Sequence, residues 1–173
     1  MVELGAPILR KIADPVDDVF SQDTSNLIRG MVDVLTQQKG IGLAAPQVGV
    51  KKQVFIVAPE QIMQRPFDDI STGLVVINPT IEFNTKTVTY EWEGCLSIPG
   101  IRGKVPRQCD ITIQYTNIHG ELRKERYSGF TARIFCHEFD HLNGVLFLDR
   151  LEDIKTQLVT DRFYATMVEE DYK

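Results

Sequence analysis

The segment His137-Glu138-Phe139-Asp140-His141 constrains this chain more than any other stretch of it. On a helix, positions i and i+4 lie on one face, so two imidazoles so spaced can meet a single metal ion. Glu138 stands three residues before His141 and can reach a water beside that metal. A bound metal lowers the pKa of a water and polarises a carbonyl. A glutamate beside it can take the water's proton and pass it to a leaving amine. The plainer alternative is a helix with two hydrogen-bonded, partly buried histidines.

Two histidines do not complete an open catalytic site, which uses three protein ligands and keeps one position for water. In a zinc protease the third ligand often lies downstream. Here Gly144 has the right spacing, but Phe147 stands where a third histidine would be, and phenylalanine cannot ligate. The carboxylates Asp149, Glu152 and Asp153 follow close behind. A better candidate lies upstream, in Glu93-Gly94-Cys95-Leu96-Ser97. A cysteine beside a glycine, between a strand and a loop bearing Pro99, can present its sulfur into a cleft. Near a metal its thiol deprotonates and becomes a strong ligand. Taken alone, a cysteine such as Cys95 is more often a small buried hydrophobe. Cys109 reads as structural.

Length and composition set the frame. The 173 residues suggest one domain spanning 1–173. Charged residues are 25% and apolar ones 43%, which is ordinary globular usage and argues against a disordered chain. A formal charge of −5 speaks against an electrostatic nucleic-acid binder. No apolar run is long enough to span a bilayer. The start, Met1 to Arg10, does not read as a signal peptide. Three scattered cysteines make no disulfide framework and fit a reducing cytosol, so the expected location is cytoplasmic.

The hydrophobic pattern predicts a helix from a cap at Asp23 or Thr24 to about Lys39, stopped by Gly40. Gln53 to Ala58 and Leu74 to Ile77 read as buried strands. Pro59 to Gly73 reads as a loop excursion. Thr80 to Trp92 suggests a hairpin turning near Asn84. Asp110 to Thr116 alternates as a strand, Asn117 to Gly120 turns, and Glu121 to Ser128 returns as an exposed strand. A helix opens at Gly129 and ends at Asn143-Gly144. A last helix covers about Ile154 to Glu169. The expected class is α+β, with mostly antiparallel sheets packed around a central H-E-x-x-H helix and a helix near each end of the chain.

Three separated segments together resemble peptide deformylases. Gly40-Ile-Gly-Leu-Ala-Ala-Pro-Gln47 resembles that family's G-φ-G-φ-A-A-x-Q motif. Glu93-Gly-Cys-Leu-Ser97 resembles E-G-C-φ-S, and His137-Glu-Phe-Asp-His141 resembles Q-H-E-x-D-H. The resemblance runs from about Pro7 to Asp149 and keeps the motifs in order. One residue departs from it: Cys136 replaces the usual glutamine before His137. Position 136 lies about 100° around the helix from His137 and should not ligate the same metal. A supporting hydrogen bond could be lost there.

The resemblance implies metal ligands Cys95, His137 and His141, with Glu138 as general base and then acid. It implies ferrous iron, for which zinc, nickel or cobalt can substitute. The Leu96 backbone N–H and the Gln47 side-chain amide would hold the oxyanion. Ile41 and Gly42 would lie along the peptide backbone, with Glu93 and Arg102 bordering the substrate pocket, though either reads equally as part of a structural ion pair. Phe130 and Ile134 sit at helical spacing before His137 and could wall a pocket for methionine, or simply pack in the core. The implied reaction is hydrolysis of N-formyl-methionyl nascent polypeptides to formate. Asp140 reads as orienting a ligand or a loop, and His119 as a solvated turn residue. The segment Asp149 to Lys173 carries seven acids and four bases, which does not favour docking on ribosomal RNA. Two other readings share the helix: a zinc endopeptidase, for which Cys95 would be dispensable, and a metal-stabilised binding module with a closed four-ligand site.

Overall fold

The computed structural model describes residues 1–58 and 73–171. The loop expected at Pro59 to Gly73 lies outside them, apart from Gly73 itself.

Helix α1 spans Gln22–Gln38. Its cap is Ser21, two or three residues earlier than the sequence pattern suggests, and the Ser21 hydroxyl accepts the Thr24 N–H at 3.2 Å. Lys39 ends the helix in the left-handed region, at φ 51°. Ile28, Met31 and Leu35 lie on one stripe and are buried.

Five strands follow in one sheet, β1 (Gly42–Ala44), β2 (Val54–Val57), β3 (Leu74–Phe83), β6 (Asp110–Thr116) and β7 (Leu122–Ser128). Their spatial order is β1-β2-β3-β6-β7, and every pairing is antiparallel. Strand β2 is buried on both faces. Phe55 and Val57 join one apolar cluster with Val76, Ile111, Ile113 and Phe135, whereas Val54 and Ile56 join another with Met31, Leu35 and Ile77. The period-two alternation of a strand therefore feeds two helices, one on each face.

Helix α2 spans Gly129–Leu142 and covers the first of these faces. Phe135 stacks on Tyr127 with ring centroids 4.5 Å apart and meets Phe55 edge-on at 5.6 Å. The helix stops where Gly144 adopts φ 71°. A Cβ at Gly144 would lie 2.7 Å from the Arg10 carbonyl carbon, so only glycine lets the N-terminal segment pass here.

A second sheet has three strands, β4 (Thr89–Cys95), β5 (Ile98–Arg107) and β8 (Leu158–Thr160), in the order β4-β5-β8. It overturns three expectations. Thr80 to Trp92 is not a hairpin: β3 pairs with β6, and β4 pairs with β5 in the other sheet. The turn signal at Asn84 marks the exit from the first sheet, where the Asn84 amide bonds Asp110 and Thr112. Beyond the Leu96–Ser97 turn, the stretch bearing Pro99 is not a loop but strand β5. Its two prolines, Pro99 and Pro106, sit outside the three-residue stretch that β8 covers, where a missing N–H is tolerated. The expected helix from Ile154 is also interrupted. A short turn α3 (Ile154–Gln157) gives way to β8, and α4 (Asp161–Asp171) follows. Leu158 and Val159 favour the strand because the edge of β5 is there to pair with them. The α+β class with antiparallel sheets holds. No described helix is long and apolar enough to cross a membrane.

Candidate metal centre

Two local structures bring the sequence candidates together. The first is the tip of the β4–β5 hairpin. Cys95 pairs with Ile98, so Leu96 and Ser97 form the turn. The register slips between Gly94 and Cys95, and such an irregularity re-aims the side chain beside it. The second is the middle of α2, where His137 and His141 are one turn apart with ring centroids at 5.1 Å.

The Cys95 sulfur lies 3.3 Å from His141 Nε2. One ligand atom each from Cys95, His137 and His141 falls within 4.8 Å of the others. Two imidazoles and a thiol suit a borderline divalent ion. Glu138 Oε2 is buried without a hydrogen-bond partner among the described residues. A buried oxygen left so is served by a bound water, ion or substrate. The donor set and the orphaned oxygen both fit a metal with an open position.

The electrostatics agree. Burial pushes His141 well below the ordinary histidine range, which keeps the ring neutral and able to ligate. Burial also opposes charge on His137, but the Cys95 sulfur and the Glu93 carboxylate outweigh it and raise its pKa well above the usual value. That ring sits in surroundings that favour a cation, whether proton or metal. Burial pushes Glu138 up to about 7, near the range where a general base works best at neutral pH.

The approach of Glu138 depends on Gly42. A Cβ at that position would lie 2.4 Å from Glu138 Oε1. Strand β1 can pass the carboxyl only with glycine there. Gln47 follows in a short 3₁₀ turn, Ala45–Val48, and is 1% exposed. Its carbonyl oxygen accepts the Ala44 N–H at 2.8 Å, which aims the amide nitrogen at Cys95 Sγ (3.4 Å) and Ser97 Oγ (3.3 Å).

The remaining candidates spread out. Ile41 is exposed. Phe130 is exposed and lines a cleft of about 520 Å³ with Trp92, Arg133 and Tyr164. Ile134 is buried in the apolar cluster around Phe135. Arg102 pairs with Asp161 at 2.8 Å and stacks over the Tyr164 ring. Glu93 is buried, and its Oε2 faces His137 Nδ1 at 2.9 Å. Cys136 lies in the apolar cluster, where burial pushes its thiol up to about 12. It stays a neutral, inert thiol. His119 is exposed.

Sequence reasoning missed Arg107 and Arg133. Arg107 binds Glu93 through two nitrogens, at 2.5 and 2.9 Å, and Asp140 at 2.9 Å. Arg150 holds the other oxygen of Asp140 at 2.6 Å. Burial works against the charge on Glu93, but hydrogen bonds from His137 and Arg107 hold its carboxyl well below the ordinary range. No local pattern announces such partners, because Arg107 comes from β5 and Arg133 from α2, while Glu93 lies on β4.

A thiol facing two helix-borne imidazoles, with a buried carboxyl alongside, defines a metal-dependent hydrolase. Comparison with known proteins narrows the class. The family model described as polypeptide deformylase matches residues 1–157. Peptide deformylase 2 of Nostoc sp. is 38% identical over 173 residues, covering 100% of this chain and 96% of that one. The peptide deformylase of Thermotoga neapolitana is 40% identical over 160 residues, 91% of this chain and 90% of the relative. Among solved structures, the Plasmodium falciparum peptide deformylase in complex with an inhibitor superposes with a TM-score of 0.78 at 32% identity, covering 99% of both chains. The chain belongs to the peptide deformylase family, metal-dependent hydrolases that remove the N-formyl group from new polypeptides.

Proposed function

We propose that this chain deformylates N-formyl-methionyl nascent polypeptides in the cytoplasm, with Cys95, His137 and His141 holding one divalent metal ion, ferrous iron in the cell. Zinc, nickel or cobalt would substitute. The observation that carries the reading is the meeting of all three ligand atoms within 4.8 Å, with the buried Glu138 Oε2, unpartnered among the described residues, on the same helix. The metal supplies Lewis acidity toward the formyl oxygen and toward water.

The chain's own residues do the rest. Glu138 accepts the proton of the attacking water and returns it to the leaving amine. The Gln47 amide and the Leu96 backbone N–H donate to the oxygen on which negative charge develops. One such donor is worth roughly 3–4 kcal/mol. Gly42 lies beside Glu138 on strand β1, the edge of its sheet, and with Ile41 just before it offers a stretch where an extended substrate backbone can run. Phe130, Ile134, Glu93 and Arg102 are the proposed surroundings of the methionine side chain, with Glu93 also serving His137 from behind. Residues 1–173 act as one catalytic domain. The acidic C-terminal segment does not favour docking on ribosomal RNA.

The test is formate release from an N-formyl-methionyl tripeptide by protein loaded anaerobically with iron, run beside the unformylated peptide and a Cys95→Ala variant. The proposal expects formate from the formylated substrate alone, and loss of bound metal in Cys95→Ala. Cleavage of internal peptide bonds with metal retained in that variant would favour an endopeptidase and overturn the ligand set.

A further inference from the structure

We propose that Arg133 is a positioning residue for the metal centre, fixing Glu93 so that Glu93 orients the His137 ring. The inference rests on the ligand set proposed above. Arg133 stands one helical turn before His137 on α2 and is 3% exposed. Its Nη1 donates to Glu93 Oε1 at 2.8 Å and to the Val105 carbonyl at 2.9 Å. Its Nη2 donates to the Thr89 carbonyl at 2.8 Å and to Thr89 Oγ1 at 3.1 Å. One planar fork thus ties α2 to β4 and to β5, a geometry that a lysine cannot copy.

The surrounding cluster sharpens the point. Its buried members are Glu93, Asp140, Arg107 and Arg133, and the exposed Arg150 reaches Asp140 from outside. Arg107 alone already places two nitrogens on Glu93 and one on Asp140. Arg133 is a second buried cation on Glu93, and burying one carries a desolvation cost. What it adds is geometry. With Arg107 on both Glu93 oxygens and Arg133 on Oε1, the carboxylate cannot rotate, and Oε2 stays opposite His137 Nδ1. A ring held from behind keeps its tautomer and its direction.

Arg133 also lines the cleft that contains Phe130, Trp92 and Tyr164. Two rival roles follow, a substrate contact in that cleft and a plain structural staple. Cobalt-loaded protein separates them. The measurements are Co²⁺ transfer to a chelator, the Co²⁺ absorption bands, kcat and KM for formate release, and the melting temperature. Arg133→Leu is expected to weaken Co²⁺ binding roughly 10–100-fold, to shift the bands and to lower kcat with KM within about twofold. Arg133→Lys should fall between it and the wild type, since one ammonium can reach Glu93 but not all the carbonyls. A lower melting temperature with unchanged metal release and bands would reduce Arg133 to a staple and overturn the proposal. A raised KM with unchanged metal release would make it a cleft residue, and would also overturn it. If Arg133→Leu does not fold, Arg133→Lys is judged by the same criteria. A wild-type chain that binds no cobalt, or a Cys95→Ala chain that binds it as well as wild type, would sink the ligand set and this inference together. Unchanged binding in Arg133→Leu alone would sink only the inference.

Discussion

Toward the five-stranded sheet, α2 presents Ala132, Phe135 and Cys136 to Phe55, Val57 and Ile111. Toward the three-stranded sheet, the same helix presents Arg133, His137 and Asp140 to Glu93 and Arg107. The first side is held by dispersion and apolar burial, which are non-directional. The second is held by charge-assisted hydrogen bonds, which fix angles as well as distances. The difference teaches where precision is kept. The apolar side anchors the helix, and the polar side sets the orientation of a ring that must meet a metal.

Substitutions on the two sides should therefore fail differently. Glu93→Leu is expected to do the most damage, because it strands Arg107 and Arg133 as buried cations without their carboxylate. Breaking such a cluster costs about 3–5 kcal/mol, and losing the partner of His137 should weaken metal binding about 10–100-fold. Urea unfolding and chelator competition measure the two effects. Phe135→Ala should cost about 3–5 kcal/mol by the same unfolding assay. Its metal affinity should stay that of the wild type. If Phe135→Ala loses metal as readily as Glu93→Leu, the two sides do not have separate tasks.

Gly42→Ala sharpens the comparison from the substrate side. The added methyl would press on Glu138 Oε1 and displace it. Misplacement by about 1 Å can cost 10²-fold in rate, so kcat/KM should fall by about that factor. The melting temperature should change little. The smallest effect is expected at Asp149, which pairs with Arg10 and accepts the Leu146 N–H at 2.7 Å. Burial opposes its charge, but Arg10 and that N–H together outweigh it and hold its carboxyl below the ordinary range. A carboxyl depressed in the folded state stabilises the protein above its unfolded pKa, and that gain is lost as pH falls through the folded one. The pair is well exposed and so is screened. Asp149→Asn should cost under about 1 kcal/mol at pH 7, and the gap to wild type should close below about pH 4. A gap that widens in acid would reverse the assigned sign.

The same contrast explains what could be read from the chain before its structure. The apolar side was legible because Phe55 and Val57 alternate with Val54 and Ile56, and α1 shows its stripe at Ile28, Met31 and Leu35. The spacing of His137 and His141 was legible for the same reason, since both lie on one helix. The polar side was not. Pro99 and Pro106 disguised strand β5, and without β5 there is no partner strand to bring Arg107 to Glu93. The hairpin expected at Asn84 failed because β3 finds its neighbour across the sheet in β6. Arg133 looked like any helical arginine until β4 supplied Thr89 and Glu93.

The most direct test of the account concerns Glu138 at constant metal occupancy. Wild type and Glu138→Ala would be loaded anaerobically with iron, their metal content measured, and their formate release from N-formyl-methionyl tripeptide compared. The account predicts one metal per chain in both, and a rate roughly 10²–10⁴-fold lower in the variant. Formate release at the wild-type rate from fully loaded Glu138→Ala would contradict it.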